Sequence, residues 1–331
     1  MPMLQFMPGN RIALVLTVLL GFVSVQANIV FVHLGAQIPS YVYVALEQAR
    51  LFNLHRPIYL ITNKEAVTHT TYDFTQHDFK VVLCEELEKS EHHHLFSQKS
   101  PLNPAYREGF WRKATERFFY LHELIASRNL EHVVHVESDN MLYVDIDDIE
   151  NALSLYKGIG AVFDCDYRCI PSFVYIAHPQ ALEHFVAQIA EHAEKGYNDM
   201  EELALYRKTL SRNYIADLPL IMVEYEVKYH LINSLGQRPV EPSRYWNNIN
   251  NFNSIFDGAA LGQFLGGIDP RNGPSVPGFI NETTIFNPSK MKIEWHKDKQ
   301  GRKTPFATCG ASTYRINNLH IHSKRLEEFR S

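Results

Sequence analysis

Two groups of polar side chains, far apart in the sequence, have the types and spacing of a metal site. Residues 137–140 (Glu-Ser-Asp-Asn) directly follow residues 133–136 ("VVHV"), which have the β-branched composition of a buried strand. His320 and His322 are separated by one residue, so on a strand both imidazoles lie on the same face. Carboxylates beside a core need a cation, and Mn²⁺ and Mg²⁺ take oxygen ligands. We therefore predict that Asp139, with His320 or His322, binds one divalent ion.

Acid-x-Asp triplets occur three times, so their surroundings must decide between them. Residues 145–147 precede the helix-like "IENALSLY", where carboxylates are explained by the cap and first turn of a helix. Residues 164–166 follow the strand-like "IGAVF" and remain the alternative metal site. The triplet 137–139 is preferred because a long helix pattern carrying arginine precedes its strand, and because Asn140 adds another oxygen.

The elements that must position these side chains alternate between strand and helix patterns. Residues 28–35, 57–63 and 79–87 resemble strands, and residues 40–52 form a helix pattern that begins after Pro39. This alternation predicts an α/β domain with a mostly parallel, Rossmann-like sheet flanked by helices. Ligands of such sheets bind at the C-terminal ends of the strands. The residues predicted to contact a nucleotide there are His33, Gly35, Thr62 and Asn63.

A longer helix pattern precedes the acidic triplet. Its apolar residues, spaced by three and four, are Phe110, Ala114, Phe118, Leu121 and Ile125. Arg117 lies on this helix, and because guanidinium suits bidentate phosphate contacts, we predict that Arg117 binds phosphate. Residues 91–107 contain a "HHH" run and two prolines. Since three consecutive histidines cannot share one face of a regular element, a solvated surface loop is predicted there.

The overall composition is that of an ordinary globular protein. The chain has 331 residues, of which 45% are apolar and 21% charged, with a formal net charge of −5 and a pI near 6.4. Because there is no overall basic field, nucleic acid is not expected as a partner. No linker or change of composition divides residues 28–331, so we predict a single domain there.

The first 27 residues have the pattern of a targeting segment. Arg11 precedes the apolar run 12–25, and Val25 and Ala27 are small residues at the positions that a signal peptidase recognises. The run is short for a span of roughly 20 residues, so a signal peptide is predicted, with a short uncleaved membrane anchor as the alternative. We therefore expect the protein in the lumen of the secretory pathway or elsewhere outside the cytoplasm, with membrane association if the anchor is retained.

Four cysteines, Cys84, Cys165, Cys169 and Cys309, are compatible with an oxidising compartment. Cys165 and Cys169 are close enough in sequence for a local disulfide, and two inert buried thiols are the alternative. A zinc site is not favoured, because further ligands with suitable spacing are missing. The sequon at Asn281 fits a secreted eukaryotic protein, although such triplets also arise by chance.

The order of five motifs resembles the metal-dependent glycosyltransferases of the GT-A fold, in the nucleotide-diphospho-sugar transferase superfamily. The motifs are "FVHLG", "YLITN", "FWRKATERFFYL", "HVVHVESDNMLY" and "LHIHSK", and the resemblance covers most of residues 28–326. It implies a single catalytic domain of GT-A type that transfers sugar from a nucleotide-sugar donor, expected to be a UDP-sugar. The acceptor is expected to be a glycan, a protein or a lipid.

The resemblance also implies roles for individual residues. In such enzymes an Asp-x-Asp motif and a late histidine hold Mn²⁺ on the donor diphosphate. Carried over, Asp139 is the chelating acid, His322 or His320 is the late histidine, and Lys324 contacts phosphate. Glu137 stands in the place of the first Asp, and its longer side chain is expected to reach the ribose or a metal-bound water.

The acceptor side of the reaction is less defined by the sequence. An inverting enzyme needs a general base, for which Asp257 and Asp269 in the Gly-rich segment 247–278 are the candidates. Their alternative role is turn chemistry, in keeping with Gly258 and Pro270. A retaining enzyme needs no such base. The alternative function is a non-catalytic nucleotide-sugar or carbohydrate-binding domain of the same fold.

Overall fold

The structure, a computed structural model, describes residues 27–331, so the predicted targeting segment lies outside the described residues except for Ala27. Within the described part, no helix is both long and apolar enough to cross a membrane. The strands, in chain order, are β1 (Asn28–His33), β2 (Ile58–Thr62), β3 (Phe79–Leu83), β4 (Val133–Val136), β5 (Asn140–Leu142), β6 (Ile159–Cys165), β7 (Arg168–Ile176), β8 (Ile215–Asp217), β9 (Ser254–Ile255), β10 (Lys292–Lys297), β11 (Lys303–Cys309), β12 (Ser312–Ile316) and β13 (Asn318–His320). The α-helices are α1 (Ser40–Phe52), α2 (Lys64–Thr68), α3 (Glu91–Lys99), α4 (Phe110–Arg128), α5 (Ile146–Leu153), α6 (Pro179–Glu191), α7 (Asp199–Thr209), α8 (Val223–Tyr229), α9 (Ile249–Phe252) and α10 (Ala260–Gly266).

Seven strands form the central sheet, in the order β3-β2-β1-β4-β7-β6-β8. The pairs are parallel except where β7 lies antiparallel between β4 and β6. Strands β1, β2 and β4 are buried almost throughout, as expected for parallel strands that helices cover. The prediction of an α/β domain with a mostly parallel sheet flanked by helices is confirmed.

Two predicted helices bury the side chains that their periodicity indicated. Helix α1 has the predicted bounds, and the extended residue before it is Pro39. Its buried face includes Val42, Ala45, Leu46 and Ala49. Helix α4 buries Phe118, Leu121 and Ile125. Phe110, in the first turn of α4, is 41% exposed, so the apolar stripe begins one turn later than predicted.

The prediction of a solvated loop at residues 91–107 is wrong for its first half. Helix α3 begins after Ser90, whose side chain caps it by accepting from the backbone N–H of His93. The side chain of His93 is fully buried, with Nδ1 2.8 Å from Glu123 Oε1 and Nε2 2.9 Å from Glu116 Oε1. A histidine satisfied by two acids is a core residue, and composition alone does not distinguish it from a surface one.

We expect His93 to stabilise the fold in a pH-dependent way. Burial lowers the pKa of His93, but hydrogen bonds to Glu116 and Glu123 together raise it by more, so the pKa lies above its ordinary value. The stabilisation is therefore complete below the unfolded pKa of about 6.5 and is lost as pH rises through the folded pKa. His93→Gln should lower the free energy of unfolding by about 1 kcal/mol near pH 5.5, and by less near pH 8.5.

Urea denaturation of wild type and variant at both pH values measures this difference. His94→Gln on the exposed side of α3 is the matched control, and we expect no pH-dependent change from it. An equal loss of stability at both pH values for His93→Gln would contradict the ionic contribution.

Two smaller sheets complete the domain and bring the C-terminal part of the chain to the central sheet. Strands β10, β11, β12 and β9 form one of them, and β13 pairs with β5 to form the other. In the β13–β5 pair, His320 lies opposite Asn140, the residue that follows the acidic triplet. The Gly-rich segment 247–278 holds α9, β9 and α10. The antiparallel β13–β5 pair therefore places His320 beside the acidic turn.

The cysteines and the acidic triplet at residues 145–147 have structural roles. All four cysteines are buried free thiols: Cys84, Cys165, Cys169 and Cys309. Cys165 and Cys169 are therefore two buried thiols, the alternative to a local disulfide. Burial raises the pKa of Cys165 to about 12, which makes its thiol inert at neutral pH. Asp145 caps α5 by accepting from the N–H of Asp147, which confirms the predicted helix-cap role.

Candidate functional site

The candidate metal site lies in the turn between β4 and β5. This turn carries Glu137 and Asp139, and β13 brings His320 onto it. His320 Nε2 is 3.1 Å from Asp139 Oδ1 and 3.4 Å from Glu137 Oε2. One ligand atom from each residue lies within 4.8 Å of the other two. Residues separated by about 180 positions in sequence thus converge on one point.

Hydrogen bonds fix the orientation of the His320 imidazole. Nδ1–H donates to the carbonyl of Gly258 at 2.8 Å, and the backbone N–H of His320 donates to Asp257 Oδ2 at 3.0 Å. Because Nδ1 is occupied by a carbonyl, Nε2 is the nitrogen that faces the two carboxylates. A histidine held through Nδ1 in this way is oriented to bind a cation through Nε2.

The charges of the site balance one another within the protein. Burial disfavours ionisation of Glu137 and Asp139, but neighbouring cations hold the pKa of Glu137 below, and that of Asp139 well below, its usual value. These cations are Arg117, His320 and Lys324. Burial alone would lower the pKa of His320, but Asp139 and Glu137 raise it to about 9. His320 is therefore an imidazolium at neutral pH when no metal ion is bound.

A divalent ion fits this set of donors. Two carboxylates and one imidazole suit Mn²⁺, and the buried Glu137 Oε2 has no hydrogen-bond partner. Binding would displace the proton from His320 Nε2, because ligand atoms must be deprotonated. Among residues 27–331, Glu137, Asp139 and His320 are the group of acidic, histidine and cysteine side chains that comes close enough to share an ion. Glu137 is thus positioned to bind an ion directly, whereas the sequence predicted that it contacts the ribose or a metal-bound water.

Asn140 and Arg117 hold the acidic turn from either side. The amide of Asn140 donates to the carbonyl of Ser172 at 2.5 Å and its oxygen accepts from Asn318 at 3.1 Å, so Asn140 is a structural residue and not the predicted ligand. Arg117 lies 2.5 Å from Glu137 and 2.5 Å from Asp199. This guanidinium therefore supports Glu137, and because Arg117 also lines the cavity beside the turn, its contact with phosphate stays a prediction.

A cavity of about 610 Å³ adjoins the acidic turn, and we call it the basic pocket. Besides Glu137 and Arg117, its lining includes the cations Arg107, Lys113, Arg271 and Lys324 and the aromatic ring of Tyr41. Arg107 also donates to the carbonyl of Arg271 at 3.1 Å and to Asn272 Oδ1 at 2.6 Å, which joins two loops of the pocket wall. A pocket with this excess of positive charge suits a ligand that carries phosphate groups.

The topology and the site together decide the fold type. The central sheet is mostly parallel, an acid-x-Asp turn follows β4, and β13 brings a histidine onto that turn. The described part of the chain therefore has a mixed α/β fold of the kind that the motif resemblance predicts. No protein-family model matches the sequence, and a search of curated proteins returned no significant match.

Solved structures with partial similarity to this chain include glycosyltransferases and a cytidylyltransferase from Leptospira borgpetersenii. Mouse xyloside xylosyltransferase 1 in its apo form is 10% identical over 61% of this chain and 90% of its own, with a TM-score of 0.38. Galactosyltransferase LgtC, in complex with donor and acceptor sugar analogues, is 11% identical over 67% and 82%, with a TM-score of 0.43. GlyE of Streptococcus pneumoniae TIGR4 is 14% identical over 61% of this chain and 49% of its own, with a TM-score of 0.37. At these values the similarity is partial, and function must be inferred from the site.

Of the four residues predicted to contact a nucleotide at the C-terminal ends of the strands, two line the basic pocket and two do not. His33 and Gly35 line the basic pocket. Asn63 instead supports Gly35, because its Oδ1 accepts from the N–H of Gly35 at 2.8 Å. Thr62 is fully buried within β2, so it cannot contact a nucleotide and its predicted role is wrong. The predicted strands 28–35, 57–63 and 79–87 are shorter in the structure, where they end at His33, Thr62 and Leu83. The edge of the sheet was predicted correctly, but position at this edge does not by itself place a side chain in the pocket.

Of the two candidate histidines, His320 and not His322 joins the acidic turn. His322 lies beyond β13, where its Nδ1 is 3.1 Å from the amide nitrogen of Gln263. Burial and the positive charge of His320 lower the pKa of His322 to about 3, so it is neutral. The alternation that would place both rings on one strand face ends because β13 stops at His320. Lys324 lines the basic pocket and forms an ion pair with Asp139.

The structure does not support either predicted general base. Asp257 is fully buried, and its carboxylate accepts from the backbone N–H groups of Leu261, Gly262 and His320. Burial raises the pKa of Asp257 to about 6, but an incoming hydroxyl cannot reach it. Its role is to hold His320 in place.

Asp269 is paired with Arg271, with Arg271 Nη2 2.6 Å from Asp269 Oδ2. These hydrogen bonds lower the pKa of Asp269, which makes it a weaker base than a free carboxylate. The turn chemistry that was the alternative explanation is also found, since Asp269 accepts from the N–H of Arg271.

The alternative acidic triplet is occupied by arginines and a tyrosine. Asp164 is buried and forms an ion pair with Arg168. Asp166 accepts from Arg207 at 3.2 Å and from the hydroxyl of Tyr245 at 2.6 Å. These partners give Asp164 and Asp166 structural roles, which favours the triplet at 137–139 as the metal site.

Sequence reasoning missed several residues that contribute to the site. One of them had a detectable signal: Lys113 precedes Arg117 by one helical turn, so the spacing places both on one face of α4. Tyr41, Arg107 and Arg271 lie on separate segments, and no local pattern connects them. Asp199 begins α7 and resembles an ordinary first-turn acid in sequence, although it is buried against Arg117.

Proposed function

We propose that this protein is a glycosyltransferase that moves a sugar from a nucleotide-diphosphate-sugar, expected to be a UDP-sugar, to an acceptor hydroxyl. Mn²⁺ or Mg²⁺ would be held by Glu137, Asp139 and His320. The observation that carries the proposal is the convergence of these three side chains beside the basic pocket. A dication next to a cationic pocket matches the charge of a diphosphate.

The chemistry follows from where negative charge develops. Cleavage of the sugar–phosphate bond moves charge onto the diphosphate, and the bound ion supplies positive charge there. Lys324 pairs with Asp139 in the absence of ligand. We expect its ammonium group to leave Asp139 and form an ion pair with a phosphate oxygen when the donor binds. For two unit charges about 4 Å apart, an effective dielectric of about 20 gives roughly 4 kcal/mol. Interactions that strengthen as charge develops lower the barrier more than they stabilise the bound donor.

The residues of the chain hold this arrangement before a donor binds. Arg117 fixes Glu137, and Asp257 and Gly258 fix His320. Arg107, Lys113 and Arg271 in the basic pocket provide further contacts for phosphate oxygens. Because Glu137 and His320 are held by the buried residues Arg117 and Asp257, little reorganisation of these two side chains is needed when the donor binds.

One observation favours a second function, a nucleotide-sugar-binding domain that does not use metal. His320 and Lys324 already neutralise Asp139, so the site is electrically balanced without an added ion. In such a domain Lys324 would stay on Asp139, and the basic pocket alone would bind the diphosphate. The two functions differ in their response to metal.

A donor screen distinguishes these functions and constitutes our first enzymatic prediction. The protein is incubated with a panel of UDP- and GDP-sugars, with Mn²⁺ or with EDTA, and the released nucleotide is measured. We expect release from at least one donor that requires Mn²⁺ and is restored when Mn²⁺ is added back after EDTA. Nucleotide binding that is equal in Mn²⁺ and EDTA, with no release, would instead support the non-catalytic domain.

A further inference from the structure

A second cavity, of about 550 Å³, lies away from the basic pocket. Its lining includes Tyr167, Tyr197, Glu201, Leu205, Val240 and Glu241, with Arg207 among the residues at its base. We call it the tyrosine pocket. None of the predicted or proposed donor contacts belongs to it, so its ligand is a separate question.

The tyrosine pocket lies at the same edge of the central sheet as the candidate metal site. Tyr167 is in the turn that follows β6, and β6 runs in the same direction as β4 because β7 is antiparallel to both. Helix α7 connects the two sites physically. Asp199 at its start pairs with Arg117, and Arg207 near its end lies under the tyrosine pocket. Eight residue steps at 1.5 Å each place the two ends about 12 Å apart.

The base of the tyrosine pocket is rigid. Arg207 is 4% exposed, its guanidinium lies 4.0 Å from the ring centre of Phe163, and it forms ion pairs with Asp217 and Asp166. The hydroxyl of Tyr245 donates to Asp166 at 2.6 Å. Because these groups are satisfied by one another, the cavity exists without a ligand, as binding sites for small molecules usually do.

The rim of the tyrosine pocket combines exposed aromatic rings with polar side chains. Tyr167 is 51% exposed and Tyr197 is 36% exposed, and Val240 beside them is 94% exposed. Aromatic rings of this kind offer an apolar face for stacking. The hydroxyl of Tyr167 donates to Gln237 Oε1 at 3.3 Å, which orients its ring. Glu201 and Glu241 add hydrogen-bond acceptors next to the rings. A sugar has the complementary surface, because its ring presents C–H groups on its faces and hydroxyls at its edge.

The charge of the tyrosine pocket separates it from the basic pocket. Its acidic residues are Asp166, Glu201 and Glu241, and its basic residues are Arg207, Lys208 and Arg244. Three acids and three bases leave no net charge to attract phosphate or a carboxylated ligand. The lining therefore favours a neutral ligand that is rich in hydroxyl groups.

We propose that the tyrosine pocket binds a neutral oligosaccharide acceptor, with the acceptor sugar that reacts placed toward Glu137 and a more distant sugar between Tyr167 and Tyr197. This inference rests on the proposed glycosyltransferase function and adds its acceptor class. Because none of Glu137, Asp139 and His320 lines the tyrosine pocket, an acceptor that reaches both places needs more than one sugar residue.

Binding to an array of defined neutral and acidic oligosaccharides tests the proposal directly. The full chain is compared with the double variants Tyr167→Ala/Tyr197→Ala and Tyr167→Phe/Tyr197→Phe. Tyr214→Ala is the matched control, because Tyr214 is 42% exposed and does not line the tyrosine pocket. We expect wild type to bind neutral oligosaccharides, the alanine variant to lose about tenfold or more in affinity, and the phenylalanine variant to keep most of it.

Three results would overturn the proposal: no neutral oligosaccharide bound by wild type, equal binding by wild type and the alanine variant, or preference for acidic oligosaccharides. Release of nucleotide from a donor in Mn²⁺ without acceptor is measured on the same proteins. If that release occurs in wild type and both double variants while oligosaccharide binding does not follow the tyrosines, the acceptor proposal fails and the proposed function stands. If no donor is consumed but binding follows the tyrosines, the proposed function fails and the carbohydrate site stands.

Discussion

Asp139→Ala is expected to abolish Mn²⁺-dependent release of nucleotide from the donor, with a loss of about a thousandfold. Asp139 contacts both His320 and Lys324, so its removal deprives the candidate ion of a ligand and Lys324 of its resting partner. The remaining carboxylate, Glu137, stays paired with Arg117. Initial rates at saturating donor, with Mn²⁺ varied, measure the effect.

Asp166→Ala is the matched control, because it removes the second acid of the alternative triplet. Arg207 keeps its ion pair with Asp217 in this variant, so the fold should be retained. We expect most of the Mn²⁺-dependent release to remain when no acceptor is present. The opposite pattern, with activity lost in Asp166→Ala and retained in Asp139→Ala, would move the metal site to residues 164–166.

Gly262→Ala is expected to weaken Mn²⁺ binding by roughly 10- to 100-fold without changing any candidate ligand. Helix α10 and strand β13 approach so closely that a methyl group at Gly262 would overlap the backbone carbonyl of His320. Overpacking of this kind costs about 1–3 kcal/mol, so a smaller free energy of unfolding is also expected. Relief of the overlap must move β13, and with it the imidazole of His320.

Gly258→Ala provides the matched control in the same segment. A methyl group there would lie 3.5 Å from Val162 and 3.6 Å from Ile170, which is ordinary van der Waals contact. The carbonyl of Gly258 that accepts from His320 is kept. Titration of Mn²⁺ by isothermal calorimetry should show near-normal affinity for this variant. Equal affinities for Gly262→Ala and wild type would mean that the position of β13 does not determine the metal site.

Sequence patterns were sufficient to predict features that depend on a single helix or strand. The bounds of α1 and the acidic turn after β4 follow from local periodicity and from the change from apolar to acidic residues. Asp139 could be selected among three triplets because the helix and strand before it are strongly patterned. The distinction between His320 and His322 could not be made, since it depends on where β13 ends its pairing with β5.

The errors have a common physical origin, namely partners that are distant in sequence. Asp257 resembles a loop carboxylate, but α10 and β13 direct three backbone N–H groups at it. The pairing of Arg117 with Asp199 was hidden in the same way, because α7 brings this acid next to it from a distant part of the sequence. His93 belongs to a polar run whose burial depends on two acids of α4. Composition near each residue cannot reveal such pairing.

The position of β13 makes residues 318–320 part of the candidate metal site. Residues 318–320 supply both the edge that extends β5 and the imidazole that faces Asp139. All seven strands of the central sheet precede residue 318 in the sequence, because the last of them is β8 (Ile215–Asp217). A chain that stopped there would contain every strand of the sheet. Such a product would have the acidic turn without its histidine. The candidate metal site is therefore completed only when His320 has been added to the acidic turn.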